Sequence, residues 1–259
     1  MLALPLALAL LATAEPAAAP ASTPAPAPPA GEAAGVPHRP GEQMDFDVEY
    51  GGFKLGEARI SVGQRAGAIL PVFLESRTTG VVGLIKLKQH MVSNLDSATG
   101  LPRSSQVDGI EPGYRHSDTA HFDREAGVAE VRERGKYDNT YRIDIPAGTL
   151  DFVALIFKLR TLPLVPGSAF EFPVLAGRAL AQVVATVEAR EAVETSTGEV
   201  QALRVRVPTG LTGKFSEKSP TYIWFSDDPR HAVVRISADF SIGRAKAVLT
   251  SYKAGQEAP

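Results

Sequence analysis

The stretch LDFVALIFKLRTL, residues 150–162, reads as a helix in a chain that otherwise reads as short strands. Phe152, Leu155, Ile156 and Leu159 recur at i, i+3, i+4 and i+7, the spacing that puts side chains on one helical face. Val153 and Phe157 widen that face, so the segment is expected to be largely buried. Asp151 stands where a carboxylate suits the free N–H groups of a helix start. Lys158 and Arg160 fall in the last turn, the favourable end for cations, and Pro163 and Pro166 stop the helix. A segment this apolar needs a concave sheet to receive it.

The flanks supply strands. Met44, Phe46, Val48 and Tyr50 alternate with Asp45, Asp47 and Glu49, the pattern of a half-buried strand. Gly51-Gly52 signals a two-residue hairpin turn. In the next strand Phe53 and Leu55 share one parity and Ala58, Ile60 and Val62 the other, which predicts a β-bulge near Gly56 and a strongly curved sheet. Further strands are expected at 71–79, 85–95, 103–107, 114–122, 128–134 and 137–145, with a break at 80–83 and a turn at 96–102. After the helix they are expected at 170–175, 180–194, 200–207, 222–226, 232–240 and 244–251, with a polar loop at 209–220. Uninterrupted β on both sides of one helix predicts a single antiparallel domain in up-and-down order, over residues 41–253, followed by a tail at 254–259.

Ahead of this domain, Leu2 to Leu11 is an apolar run of about ten residues, the length of a signal-peptide core and too short to span a bilayer. Ala12-Thr13-Ala14 and Ala17-Ala18-Ala19 offer small-x-small cleavage patterns, so residues 1–19 are expected to be a signal peptide. The basic residues that normally precede the run are missing, which places the expected start upstream. Residues 20–40 are rich in Ala and Pro, favouring an extended linker. The charge of −2 and a pI near 6.2 give no basic footprint for nucleic acid. With no cysteine in 259 residues, disulfides, thiolate metal sites and a cysteine nucleophile are excluded.

Several clusters could carry chemistry. In YRHSDTAHFDRE, His116 and Asp118 share one strand face while His121 and Asp123 face the other way, so three metal ligands do not converge. Asp227-Asp228-Pro229-Arg230-His231 pairs acids with a base but reads as a turn. Asp45, Asp47 and Glu49 read as an acidic wet face, and His90 with Lys86 and Lys88 as a solvated basic one. Gly210 to Lys214 lacks the glycine spacing of a phosphate loop. No G-x-S-x-G, H-E-x-x-H or G-x-G-x-x-G occurs in the sequence.

Four stretches in order, GEQMDFDVEYGGFKLGEARI (41–60), SNLDSATGLP (93–102), DFVALIFKLRTLPLVPG (151–167) and IWFSDDPRHAVVRI (223–236), resemble a family of exported bacterial proteins. That family is catalogued as domain of unknown function 3108, and the resemblance spans residues 41–252. Where the family pattern carries proline ahead of Val233-Val234, this chain has Ala232. The resemblance implies an envelope location and a β-rich fold. It brings no activity and no functional residues.

The expected architecture is therefore mostly β: an antiparallel barrel or strongly curved half-barrel with one buried helix near 150–162. The expected function is non-enzymatic binding in the periplasm, with no cofactor. A curved sheet closed by an apolar helix leaves a concave interior suited to a lipid or glycolipid. Tyr50, Tyr222 and Trp224 are the amphipathic aromatics that would sit at its mouth, or else plain core residues. The alternative is an envelope-assembly protein whose core is filled and whose outer strands touch a protein partner. An enzyme with an unfamiliar site is the third reading. Neither nucleic acid nor a membrane-spanning segment in the mature chain is expected.

Overall fold

A computed structural model describes residues 38–79, 88–111, 114–135, 138–208, 220–240 and 243–256. The expected signal peptide, most of the linker, the break at 80–83 and the loop at 209–219 lie outside these residues. The strands are β1 (Gln43–Tyr50), β2 (Phe53–Val62), β3 (Ile69–Thr78), β4 (Lys88–Asp96), β5 (Pro102–Glu111), β6 (Tyr114–Asp123), β7 (Val128–Arg134) and β8 (Asn139–Asp144). The helix α1 (Phe152–Leu159) follows, then β9 (Ala169–Ala176), β10 (Ala179–Thr195), β11 (Gly198–Val207), β12 (Thr221–Ser226), β13 (Val233–Phe240) and β14 (Gly243–Lys253). All the strands form one antiparallel sheet in the order β8-β7-β6-β5-β4-β3-β2-β1-β14-β13-β12-β11-β10-β9. The up-and-down order holds, with one pairing that is not between chain neighbours: β1 against β14, at the middle of the sheet. The edges β8 and β9 are not laddered to each other, so the sheet stays open. Side chains partly bridge them: Leu175 and Leu180 pack with Ile143 and Tyr141, and Arg178 Nη1 donates to Tyr141 Oη at 3.1 Å.

Local chemistry explains the curvature. Gly51 and Gly52 take φ of 58° and 85°, the left-handed pair that a tight hairpin requires. Val48 then pairs with Gly56 and Glu49 with Lys54, leaving Leu55 as the extra residue of a bulge. At Gly56 the chains approach so closely that a Cβ would sit 2.2 Å from the Arg77 carbonyl oxygen. The turn at 96–102 is stapled by Asp96, which accepts from the amides of Ala98 and Thr99 and from Arg103. Arg103, then the Thr99 amide, hold that carboxyl down at about 2.

The helix is shorter than the apolar pattern, eight residues from Phe152 to Leu159, because caps consume both ends. Asp151 is the N-cap and accepts from the Ala154 amide at 2.8 Å. Arg160 is the C-cap, its amide closing on Ile156 and Lys158 carbonyls. Every helical residue except Lys158 is buried, packed with Met44, Phe46, Ile60, Leu70, Val72 and the inward residues of β9–β13. Among the described residues no helix is long and apolar enough to cross a membrane. The folded chain begins inside the stretch read as linker: His38 is buried against Phe157, and the Gln256 amide bonds the Pro40 carbonyl at 3.0 Å.

Candidate functional site

Because the strands alternate direction, each contributes one end to the helix side and one to the opposite side. Burial along the concave face follows that axis. On β1, Met44 and Phe46 are 0% and 2% exposed, Val48 is half-buried and Tyr50 is 37% exposed. On β3 the sequence Leu70, Val72 and Leu74 is buried, whereas Ser76 and Thr78 are half-buried. On β6, Phe122 and Ala120 are buried, Asp118 and His116 half-buried. The helix thus seals one end, and the concave wall grows wetter and more polar toward the other.

A polar lip forms on this open half. Cross-strand register places Met91, Val107, Asp118 and Glu133 in one row, and Gln89, Gly109 and His116 in the next. The expected parity holds: His116 and Asp118 share the concave face with Ala120, and His121 points to the other side. Glu133 joins them from β7, a partner that only the strand register reveals. Gly109 lets the imidazole lie flat over the backbone, since a Cβ there would meet His116 Cε1 at 2.0 Å. Burial raises the Asp118 carboxyl above its ordinary value, His116 pulls it back, and Glu133 and Asp108 push it up. Two carboxylates on a half-buried wall suit a hydroxyl or amine donor. Among the described residues no three His, Cys, Asp or Glu side chains are placed to hold a metal ion.

The aromatic candidates divide. Tyr222 and Trp224 stand together, rings 6.1 Å apart, on the opposite face of β12 from buried Ile223. There Trp224 Nε1 donates to Glu191 Oε1 at 2.6 Å, and Arg235 lies 5.5 Å over the indole. Arg204 and Arg244 stack over Tyr222. Tyr50 lies at the open end of β1, paired with Phe53 across the hairpin and separated from β12 by β14 and β13. The structure therefore brings two of the three together, with Trp224 buried at 8% exposure in the hydrophobic core and Tyr222 packed against it, and leaves Tyr50 at the open end of β1. The acidic face is tied by ion pairs, Asp45 to Arg59 and Asp47 to Lys54, both at 2.6 Å. His90 lies between Glu75 and Asp108.

The sealed end holds buried polar groups. Arg160 donates to Glu42 through both terminal nitrogens and to the carbonyls of Arg230 and His231. Tyr252 Oη donates to Glu42 at 3.1 Å, and His231 Nδ1 meets the Arg160 carbonyl at 3.0 Å. The Asp227–His231 segment is the expected turn, and it also clamps the helix. Ala232 gives its amide to Ser226 Oγ at 2.9 Å, a bond that proline could not make. Sequence reasoning assigned Arg160 to the helix dipole and missed Glu42; an arginine beside so apolar a run was the available signal. On the other flank Ser93 Oγ donates to Asp151 Oδ2 at 2.5 Å. Burial lifts that carboxyl to about 6 despite the Ala154 and Ser93 donors.

An open antiparallel barrel-like sheet, plugged at one end by a short helix, defines the class of protein. The chain belongs to the family described as Protein of unknown function (DUF3108), whose model matches residues 45–250. No curated protein matches it. Among solved structures it is similar to a beta-barrel-like protein of domain of unknown function DUF1849 from Brucella abortus, at a TM-score of 0.56 and 11% identity. That match covers 84% of this chain and 98% of the other, and it shows the fold alone. A Bacteroides fragilis protein with a YmcC-like fold aligns over 85% of this chain and 98% of its own, at 13% identity and a TM-score of 0.30.

Proposed function

We propose that this chain is a non-enzymatic binding module of the bacterial cell envelope that takes an apolar or glycolipid-like ligand into the open half of its concave sheet. The observation that carries this is the gradient along the strands. Wholly buried aliphatic side chains near the helix give way to half-buried Val48, Ala58, Ser76 and Gln89, and then to Asp118 and Glu133. An amphiphile would place its body against the aliphatic wall and its hydroxyl or amine head on the carboxylates. Export is supported by the apolar run at 2–11 with its small-residue cleavage patterns.

The test is saturable uptake of an apolar fluorescent dye, with Val48→Trp and Ala58→Trp filling the mouth. The reading expects uptake by the wild type and its loss in variants that melt normally. No saturable uptake by the wild type would contradict it. The dense packing around Phe157 favours a second reading, an envelope-assembly protein with a filled core. Under that reading the dye is excluded and a protein partner co-purifies.

A further inference from the structure

Building on the open end as a ligand mouth, we infer that this end docks on an anionic lipid surface through the β1–β2 hairpin tip and a basic rim. The net charge is only −2, so the point is where charge sits rather than how much there is. Lys54, Arg77, Lys88, Arg115, Arg134 and Arg244 lie within two residues of the open ends of their strands, and all are exposed. The sealed ends reverse the sign. β4 runs from Lys88 to Asp96, β6 carries Arg115 at its open end and Asp123 at its sealed end, and β7 goes from Glu130 to Arg134. Lys54 and Arg77 share Glu57. Lys88, Arg115 and Arg134 make no ion pair among the described residues, so their charge is available to a partner.

The hairpin tip adds an apolar contact at the same end. Phe53 is 75% exposed, the most exposed large hydrophobic side chain among the described residues, with Tyr50 opposite it. Side chains built at Gly51 and Gly52 would meet nothing within 4 Å among the described residues. Aromatics beside exposed cations are the composition of interfacial anchors, in which rings enter the headgroup region and lysine or arginine meets anionic lipid. One aromatic pair and a few charges give weak, reversible, salt-sensitive docking. That suits a module that must load or release an amphiphile through the adjoining mouth.

Flotation of the full chain with phosphatidylcholine vesicles, with and without phosphatidylglycerol, tests this. Binding to the anionic vesicles is expected to be stronger by about tenfold and to fade with salt. Phe53→Asp and the pair Arg115→Glu/Arg134→Glu should each abolish most of that gain without moving the melting temperature, while Lys253→Glu at the sealed end should not. Equal binding to both vesicles, or equal sensitivity to Lys253→Glu, overturns the inference. So does binding to soluble heparin that Phe53→Asp leaves intact, which would assign the rim to a polyanion. Dye uptake without vesicle binding overturns the docking surface alone. Vesicle binding without dye uptake keeps the surface and overturns the ligand reading.

Discussion

Arg160 and Glu42 lie 118 positions apart and form a two-pronged ion pair, at 3.0 and 2.5 Å, with side chains 3% and 5% exposed. The pair ties the C-cap of the helix to the chain just before β1, and the Tyr252 hydroxyl ties it to β14. A buried pair of this kind contributes little over an apolar replacement, but removing one partner strands a charge. Arg160→Met is therefore expected to cost about 3–5 kcal/mol by chemical denaturation at neutral pH. The double variant Glu42→Leu/Arg160→Met should cost less than Arg160→Met alone. A double variant that costs the sum of the singles would show that the two residues act separately.

Phe157 is 1% exposed, with the His38 ring edge-on at 4.7 Å on one side and Arg160 at 5.4 Å. Phe157→Ala leaves a cavity at the centre of the sealed end, with an expected loss of about 3–5 kcal/mol. An unchanged melting temperature would remove the helix from the centre of the fold.

Gly56→Ala tests the bulge. The new methyl would overlap the Arg77 carbonyl, which is backbone and cannot rotate away. The expected cost is at least about 1–3 kcal/mol, read from the denaturation midpoint. Gly109→Ala meets the His116 side chain instead, so it should displace the imidazole with a smaller loss of stability, visible as a shifted His116 ring resonance by NMR.

Two buried titrating groups pull stability in opposite directions with pH. His38, desolvated and facing Arg160, falls from 6.5 to about 3, its bond to Phe157 backbone only partly offsetting this. Its contribution is present above 6.5 and is lost as pH falls toward 3, because the unfolded chain then binds the extra proton. Asp151, desolvated but facing Ser93, the helix amides and Arg124, rises from 3.8 to about 6. Its contribution is full below 3.8 and is lost as pH rises through 6. These two contributions should nearly cancel between about pH 4 and 6. His38→Phe is expected to become less stable as pH rises across that window, and Asp151→Asn more stable. Parallel profiles for the two variants in urea titrations would contradict this.

The strands are legible because one face is buried and alternation is strong: β7 spans the expected residues 128–134, and the bulge at Leu55 follows from a parity switch. The helix and its N-cap were legible from spacing and from Asp151. Pairings between distant strands were not. Which faces meet across the sheet depends on register, so the row joining Asp118 to Glu133 could not be seen from YRHSDTAHFDRE alone. Tyr222 and Trp224 suit a mouth or a core by composition; β12 alternation turns them to the face opposite Ile223, where Trp224 is buried and Glu191, Arg204 and Arg235 engage the pair. Glu42 was hidden by its distance in sequence from Arg160.

Native mass spectrometry of the full chain produced in a bacterial periplasm, with organic extraction of the same sample, decides whether the concave sheet carries a ligand. A bound amphiphile of defined mass is expected, lost or weakened in Val48→Trp and in Asp118→Ala/Glu133→Ala. A clean apo mass in the wild type, together with no dye uptake, would contradict it and leave a filled-core partner protein as the reading to pursue.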